Sequence, residues 1–382
     1  MRALLFICSV VCVLPATAQQ LASESASDVL TSAEWLRVND SVDHALDWLA
    51  REQNLDGSFP TRPTGQPAVT SLCVMAFLAE GHLPGEGKYG TQLTKALGYI
   101  VSCQKRHGIL ALVAPEGSRI SRKVEHSIGY TVAYNHAMAG LVLSESYAMA
   151  GTEATRAIEP VIEKALEASF QMHDWPKDRR ADMGGWRYLD DYEQYDSDLS
   201  ITGWQLMFLR SAKNAGFEVD EEHINRAIRY VRRCFMKDQG TFTYKLEPRN
   251  RASRGMAGAG ILALAHSGLH HTPEAQRAGN WILKSGFDKY NRPGRVTGSI
   301  ARDDRYHYGL LTCSQAMYQL GGRHWRGFFP PMVEVLLESQ AKDGSWQAEN
   351  HQLDGPYGNR YTTAINVLAL SASNQLLPIF QR

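Results

Sequence analysis

Two aspartates stand one residue apart in Asp196-Ser197-Asp198-Leu199-Ser200, directly ahead of an apolar run with helical spacing from Leu199 to Ala215. Paired carboxylates support acid chemistry when a neighbouring negative charge and a dry setting hold one of them protonated. The same position suits a simpler task. An Asp placed just before a helix accepts hydrogen bonds from first-turn N–H groups, and the positive end of the helix favours its carboxylate form. Both roles fit the spacing: Asp198 as a catalytic acid with Asp196 beside it, or Asp198 as a helix cap.

Other side chains could line a ligand pocket. His126, Tyr130 and Tyr134 are four apart and share one helical face, offering an imidazole and two phenols. Arg254, His307 and Tyr361 each fall at or near the start of a later apolar helix. If those helix starts open on one end of the molecule, they gather polar groups and helix N-termini where a pocket would form. The competing reading is ordinary packing, caps and loop ion pairs. Cys73, Cys103, Cys234 and Cys313 lie in apolar helical runs without CxxC or any metal spacing. They read as buried free thiols, with a disulfide as the alternative that an oxidising compartment permits, rather than as zinc ligands, and no metal or cofactor is expected.

The elements that position these residues repeat along the chain. A charged-faced helix ends in a Gln or its substitute, a Gly turn and an aromatic follow, and a loop leads to a second helix rich in Ala, Gly and apolar residues. Six such pairs can be laid out, with first helices near 41–52, 92–103, 159–172, 221–236, 273–285 and 331–338. Their second helices lie near 68–80, 126–150, 199–215, 255–267, 308–320 and 362–373. First helices carry apolar residues three and four apart with charges between, as an outer amphipathic helix requires. Second helices such as Gly258-Ala259-Gly260-Ile261-Leu262-Ala263 are poor in charge and suit burial on most sides. An outer ring around an inner ring follows, with an open solenoid as the alternative. The unequal spacing between units, set by loops of different length, favours the closed ring.

Two of the turns are near-identical: Gln53-x-x-Asp56-Gly57-Ser58-Phe59 and Gln340-x-x-Asp343-Gly344-Ser345-Trp346. Partial copies surround Gly184-Gly185-Trp186 and Gln239-Gly240-Thr241-Phe242, and the units at Gln104 and Ser285 are degenerate. This pattern resembles the QW repeat of squalene and terpene cyclases and of protein prenyltransferase β-subunits, over nearly the whole chain after its first 40 residues. The resemblance implies an all-α (α/α)6 toroid of about six helical-hairpin repeats. It also gives the aspartate pair a family counterpart. Asp196-Ser197-Asp198-Leu199 is similar to the DxDD motif of class II cyclases, whose middle acid protonates an alkene or epoxide. Asp196 and Asp198 match the first and middle acids, while Leu199 replaces the last. A prenyltransferase zinc set would need an Asp-x-Cys, which this chain lacks. The run Asp190-Asp191-Tyr192-Glu193-Gln194 matches a DDxxD magnesium motif only superficially, since Gln stands at its fifth position.

Charge and targeting bound the function classes. Lys and Arg total 40 and Asp and Glu total 40. Such balance argues against nucleic acid as a partner, which would call for a clustered basic face. Arg2, the apolar stretch Ala3 to Leu14, and Ala16-Thr17-Ala18 form a secretory-signal pattern, and no later stretch approaches the roughly 20 apolar residues of a spanning helix. The expected organisation is a signal peptide over 1–18, a leader over 19–40 and one toroid domain over 41–382, exported to the periplasm or beyond. Three functions compete. One is binding of an apolar or isoprenoid-like ligand in a central cavity, with cyclase-type acid chemistry at Asp198. A second is a non-catalytic scaffold that meets a protein partner through its rim loops. The third is carbohydrate processing, which also uses α/α toroids.

Overall fold

The computed structural model describes residues 26–150, 156–190, 192, 194–248, 252–293, 295–296, 299–300 and 304–381. The stretch 1–18, read from the sequence as a signal peptide, lies outside them.

Twelve α-helices alternate between two rings among the described residues. The outer ring holds α1 (Ser32–Glu52), α3 (Gly90–Ser102), α5 (Glu159–His173), α7 (Glu221–Arg233), α9 (Pro273–Lys284) and α11 (Gly322–Ser339). The inner ring holds α2 (Ala68–Ala79), α4 (His126–Met149), α6 (Leu199–Asn214), α8 (Arg254–Ala265), α10 (Tyr306–Leu320) and α12 (Gly358–Leu370). Each inner helix packs on the next, and α12 returns to α2. The ring is therefore closed, an α/α toroid rather than an open solenoid.

Periodicity accounts for the division. In α1 the buried residues Val38, Val42, Ala45, Leu46 and Leu49 form one stripe, whereas every residue of α2 is buried. Beyond the helices lie two short antiparallel ladders. One pairs β1 (Phe235–Met236) with β2 (Thr241–Phe242), and the other pairs β3 (Arg295–Val296) with β4 (Ser299–Ile300).

The repeated turn is a connector between neighbouring outer helices. Gln53 gives its amide N–H groups to the carbonyls of Gly57 and of Gln92, at the start of α3, both at 2.9 Å. Gln340 does the same toward Gly344 and Ser41, each at 2.9 Å, and so ties the last repeat to the first. Gln104, in a unit that looks degenerate, keeps the link, reaching Val161 O at 2.8 Å. Gly57 and Gly344 have φ of 90° and 97°, and a Cβ on either would strike a carbonyl of the adjoining outer helix, at Lys95 or His44. Backbone conformation and close approach both demand glycine there. The aromatic is anchored too. The N–H of Phe59, Trp186 and Trp346 donates at 3.0 Å to Thr70, Thr202 and Thr363 of the following inner helix.

The two largest differences from the expected helix boundaries are the starts of α1 and α11. The segment read as leader belongs to α1 from Ser32 onward, where Thr31 and Glu34 form a capping box. Helix α11 starts at Gly322 rather than Pro331 and carries Pro330 and Pro331 within it. The buried stripe Trp325, Phe328, Phe329, Met332, Val333 and Leu336 continues through the prolines. Its burial outweighs the lost backbone hydrogen bonds.

Residues after α12 pack back onto the inner ring. A 3₁₀ turn, Pro378–Phe380, packs on α4 and α6. It is held by Ile379 N–H donating to Glu145 Oε2 at 3.1 Å and by Gln319 Nε2 donating to Phe380 O at 2.6 Å.

Candidate ligand-binding cavity

At the end where the inner helices start, a cavity of about 340 Å³ opens in the centre of the ring. Its volume falls in the range of about 300–1,000 Å³ common for small-molecule sites. Leu72 of α2 and Met138 of α4 supply apolar surface. A third of the lining residues are aromatic: seven tyrosines and Trp204. Tyr130 and Tyr134 come from the first turns of α4, Tyr308 from α10 and Tyr361 from α12, while Tyr188, Tyr244 and Tyr357 come from the loops. The rings touch one another. Tyr130 and Tyr188 have centroids 4.7 Å apart, and Tyr357 and Tyr361 5.9 Å. Burial pushes the hydroxyls of Tyr134, Tyr188 and Tyr244 up, so all three are neutral phenols at physiological pH.

The aspartate pair stands behind this wall. Asp198 is buried and caps α6, its Oδ1 accepting from Ile201 N–H at 2.9 Å and from Ser200 Oγ at 2.8 Å. Its Oδ2 accepts from Arg187 Nη1 at 2.6 Å. In each of these contacts the carboxylate acts as acceptor, and it does not line the cavity. Its influence on the cavity is indirect. Ser200 donates to Asp198, so Tyr134, 2.5 Å from Ser200 Oγ, must donate to the serine. Arg187 Nη1 also donates to Tyr244 OH at 2.7 Å, and Tyr244 meets Tyr188 in a short hydroxyl contact. Either hydroxyl of the Tyr244–Tyr188 pair can be the donor, since Tyr244 can accept from both Arg187 and Tyr188. Asp198 thus fixes the donor direction of Tyr134, and Arg187 anchors the hydroxyl of Tyr244. Asp196 is farther still from a cavity role, buried between Arg122 at 2.7 Å and Lys177 at 3.2 Å.

The ionisable groups that do line the cavity are Asp354 and Arg305. Asp354 Oδ2 lies 3.7 Å from Arg305 Nε, and their side chains are 14% and 18% exposed. Burial pushes the Asp354 carboxyl up to about 6, with the Arg305 guanidinium acting against it. Arg305 Nη1 is also 2.5 Å from His351 Nε2, which accepts from it.

Of the pocket residues expected from the sequence, Tyr130, Tyr134 and Tyr361 line the cavity together. The other three do not. His126 is exposed, with Nδ1 3.1 Å from Asp190 Oδ2. Arg254 is buried against Asp304 through two contacts at 2.7 and 2.9 Å, and it also binds the carbonyls of Gly286 and Arg292. His307 sits behind the wall between Glu349, 2.7 Å from Nδ1, and Tyr290, 3.0 Å from Nε2. A residue at a helix start faces the ring centre or the loops according to its phase on the helix, which starting position alone does not reveal. In the DDxxD-like run, Asp191 and Glu193 lie outside the described residues. The residues that sequence reasoning missed are Tyr188, Tyr244, Asp354 and Tyr357; Tyr308 and Arg305 lie beside His307 at a helix start where a pocket was expected. A signal existed for two of them: Tyr188 and Tyr244 each follow a turn aromatic, Trp186 and Phe242, by two residues.

Neither protein-family models nor curated proteins give a match to this chain. Solved structures do. A type II terpene cyclase from Scytonema, in complex with its product merosterolic acid A, aligns with a TM-score of 0.57 at 15% identity, over 91% of this chain and 100% of that one. An inactive α-1,6-mannanase of Salegentibacter, in complex with α-1,6-mannotriose, aligns at 0.55 and 12%, over 89% and 99%. A D-mannose isomerase aligns at 0.60 and 13%, over 89% and 97%. At such identities the likeness is one of fold: all three share the α/α toroid with this chain.

Proposed function

We propose that this chain is an exported toroid protein that binds an apolar or isoprenoid-like small molecule in its central cavity, with the ligand's polar end at Asp354 and Arg305. The observation that carries this reading is the wall of phenol and indole rings around a cavity that holds one carboxylate and one guanidinium. Aromatic faces bury a large apolar area, and their electron-rich surfaces also attract a developing positive charge. Export rests on the sequence pattern at Arg2 to Ala18.

Any acid chemistry belongs to Asp354 rather than Asp198. Asp354 reaches the cavity, and burial pushes its carboxyl up to about 6, nearer to neutrality than an ordinary carboxyl. Asp198 is committed to its helix and to Arg187.

A carbohydrate ligand is the second reading, favoured by the same rings and by a carboxyl of raised pKa. Glycoside hydrolysis uses two carboxyl groups about 5–10 Å apart across the substrate, and Asp354 is the one carboxylate among the lining residues. The apolar ligand is therefore preferred. A scaffold without a ligand would leave the aromatic cavity with no task.

Equilibrium dialysis against a geranylgeranyl-bearing alcohol and against mannotriose separates the readings. The expected result is saturable binding of the first, abolished by Leu72→Trp, which fills the cavity. Binding of mannotriose alone would overturn it.

A further inference from the structure

The third repeat lacks the glutamine that ties outer helices together elsewhere. Where Gln53, Gln104 and Gln340 reach a carbonyl of the adjoining outer helix, α5 ends instead at His173. Its imidazole meets that of His223, in the first turn of α7, with Nδ1 to Nδ1 at 2.7 Å. Asp174 follows directly, and one donor atom from each of the three residues falls within 4.8 Å of the others. A cation already stands among them. Arg226 Nη2 is 2.9 Å from His223 Nδ1, 3.3 Å from His173 Nδ1 and 2.5 Å from Asp174 Oδ1.

This arrangement is frustrated in every tautomer. At most one hydrogen fits between two Nδ1 atoms at 2.7 Å. If neither nitrogen carries it, two lone pairs face each other, both served by Arg226. If one carries it, that N–H opposes the N–H of Arg226. A metal ion that accepts both lone pairs removes the conflict. The rings are already oriented by packing: His173 stacks on Trp186 at 3.7 Å and 8°, and His223 on Phe170 at 4.5 Å and 23°.

We propose that His173, Asp174 and His223 bind a divalent transition ion of the Zn²⁺ class, which takes the place of the Arg226 guanidinium and clasps α5 to α7. Two imidazole nitrogens and a carboxylate oxygen are a zinc donor set, with water as the fourth ligand. Zn–N bonds of about 2.0–2.1 Å in a tetrahedron require the two nitrogens to part by roughly half an ångström. Access is open, since the side chains of Asp174 and Arg226 are 56% and 32% exposed and the guanidinium can swing into solvent. None of the three residues lines the central cavity, so the clasp is independent of ligand binding there.

The test is calorimetric titration of the full chain with Zn²⁺, and with Mg²⁺ as a control, alongside thermal unfolding. The expected result is one Zn²⁺ per chain, a raised Tm, and no Mg²⁺ binding, because that ion prefers oxygen donors. Arg226→Ala, which removes the competing cation, should bind Zn²⁺ about tenfold more tightly, by analogy with other changes around metal ligands. Asp174→Asn, at an exposed position, should weaken it. His223→Gln should abolish it while leaving the fold intact by circular dichroism. Zn²⁺ binding that survives His223→Gln, as at the surface pair His270-His271, would overturn the proposal. So would failure of Arg226→Ala to bind at all. Should His223→Gln not fold, equal affinity in wild type, Asp174→Asn and Arg226→Ala would overturn it as well.

Discussion

Arg187 and Asp198 form a buried ion pair, with Nη1 2.6 Å from Oδ2 and side chains 9% and 0% exposed. Through it, the residue whose sequence motif suggested acid chemistry becomes an anchor for the cavity wall. Removing one member of such a pair leaves the other buried without its counter-charge, with Arg187 keeping its bond to Tyr244 OH. Asp198→Ala is expected to cost about 3–5 kcal/mol, and Asp198→Asn, which keeps the cap, on the order of 2 kcal/mol. Urea unfolding measures both. If the two variants still bind ligand at temperatures where they are folded, Asp198 is structural. Loss of binding in a folded Asn variant would restore it to the site.

The Asp354 carboxyl, pushed up to about 6 by burial, is neutral below that pH and charged above it. A ligand whose polar end closes this site to water makes the charged carboxylate still more costly, so affinity should fall as pH rises through 6. Asp354→Asn should flatten the profile. A wild-type affinity independent of pH between 5 and 8 would separate Asp354 from the ligand.

Stability has its own pH dependence, from groups away from the cavity. Burial pushes Glu145 up to about 7, from an ordinary value of 4.5. The folded chain therefore holds a proton there that the unfolded chain has lost. That contribution to stability is complete below about 4.5 and disappears as pH rises through 7. Burial pushes His136 down to about 3 and His266 to about 4, from 6.5. Their effect has the opposite sign, with stability lost as pH falls below 6.5. Glu145→Gln keeps an acceptor for Ile379 N–H and a donor for Ser211, and should raise stability at pH 8 but not at pH 4. Unfolding midpoints across that range check it, and equal changes at both ends would be inconsistent with a titrating Glu145.

Ring closure depends on Gln340, whose amide bonds Ser41 O and Gly344 O at 2.9 Å and accepts from Ser41 Oγ at 2.7 Å. Gln340→Ala should cost about 2 kcal/mol in urea unfolding. Gln104→Ala should cost less, because its contact with Gly108 O is stretched to 3.4 Å.

The fold was legible because its determinants are local and repeated. Glycine, aspartate and an aromatic at fixed spacing specify the same turn wherever they occur, and charged or apolar periodicity assigns each helix to a ring. The cavity was legible only where a helical stripe pointed at it, as with Tyr130 and Tyr134. Asp354 and Arg305 come from segments without a motif, brought together by α10 and α12 packing side by side. The two aspartates misled for a physical reason. A carboxylate pair ahead of a helix looks alike whether it faces a cavity or its own helix, and the partner that decides, Arg187, lies 11 residues upstream of Asp198. His173 and His223, separated by 50 residues, carried no signal at all.

The central claim is that an apolar ligand lies among the tyrosines at the starts of the inner helices. Photo-crosslinking with a diazirine-bearing isoprenoid alcohol, followed by peptide mapping, tests it most directly. Labels on Tyr130 to Met138, on Trp204 and on Tyr357 to Tyr361, all lost in Leu72→Trp, are predicted. Labels confined to outer helices, or unaffected by filling the cavity, would contradict it.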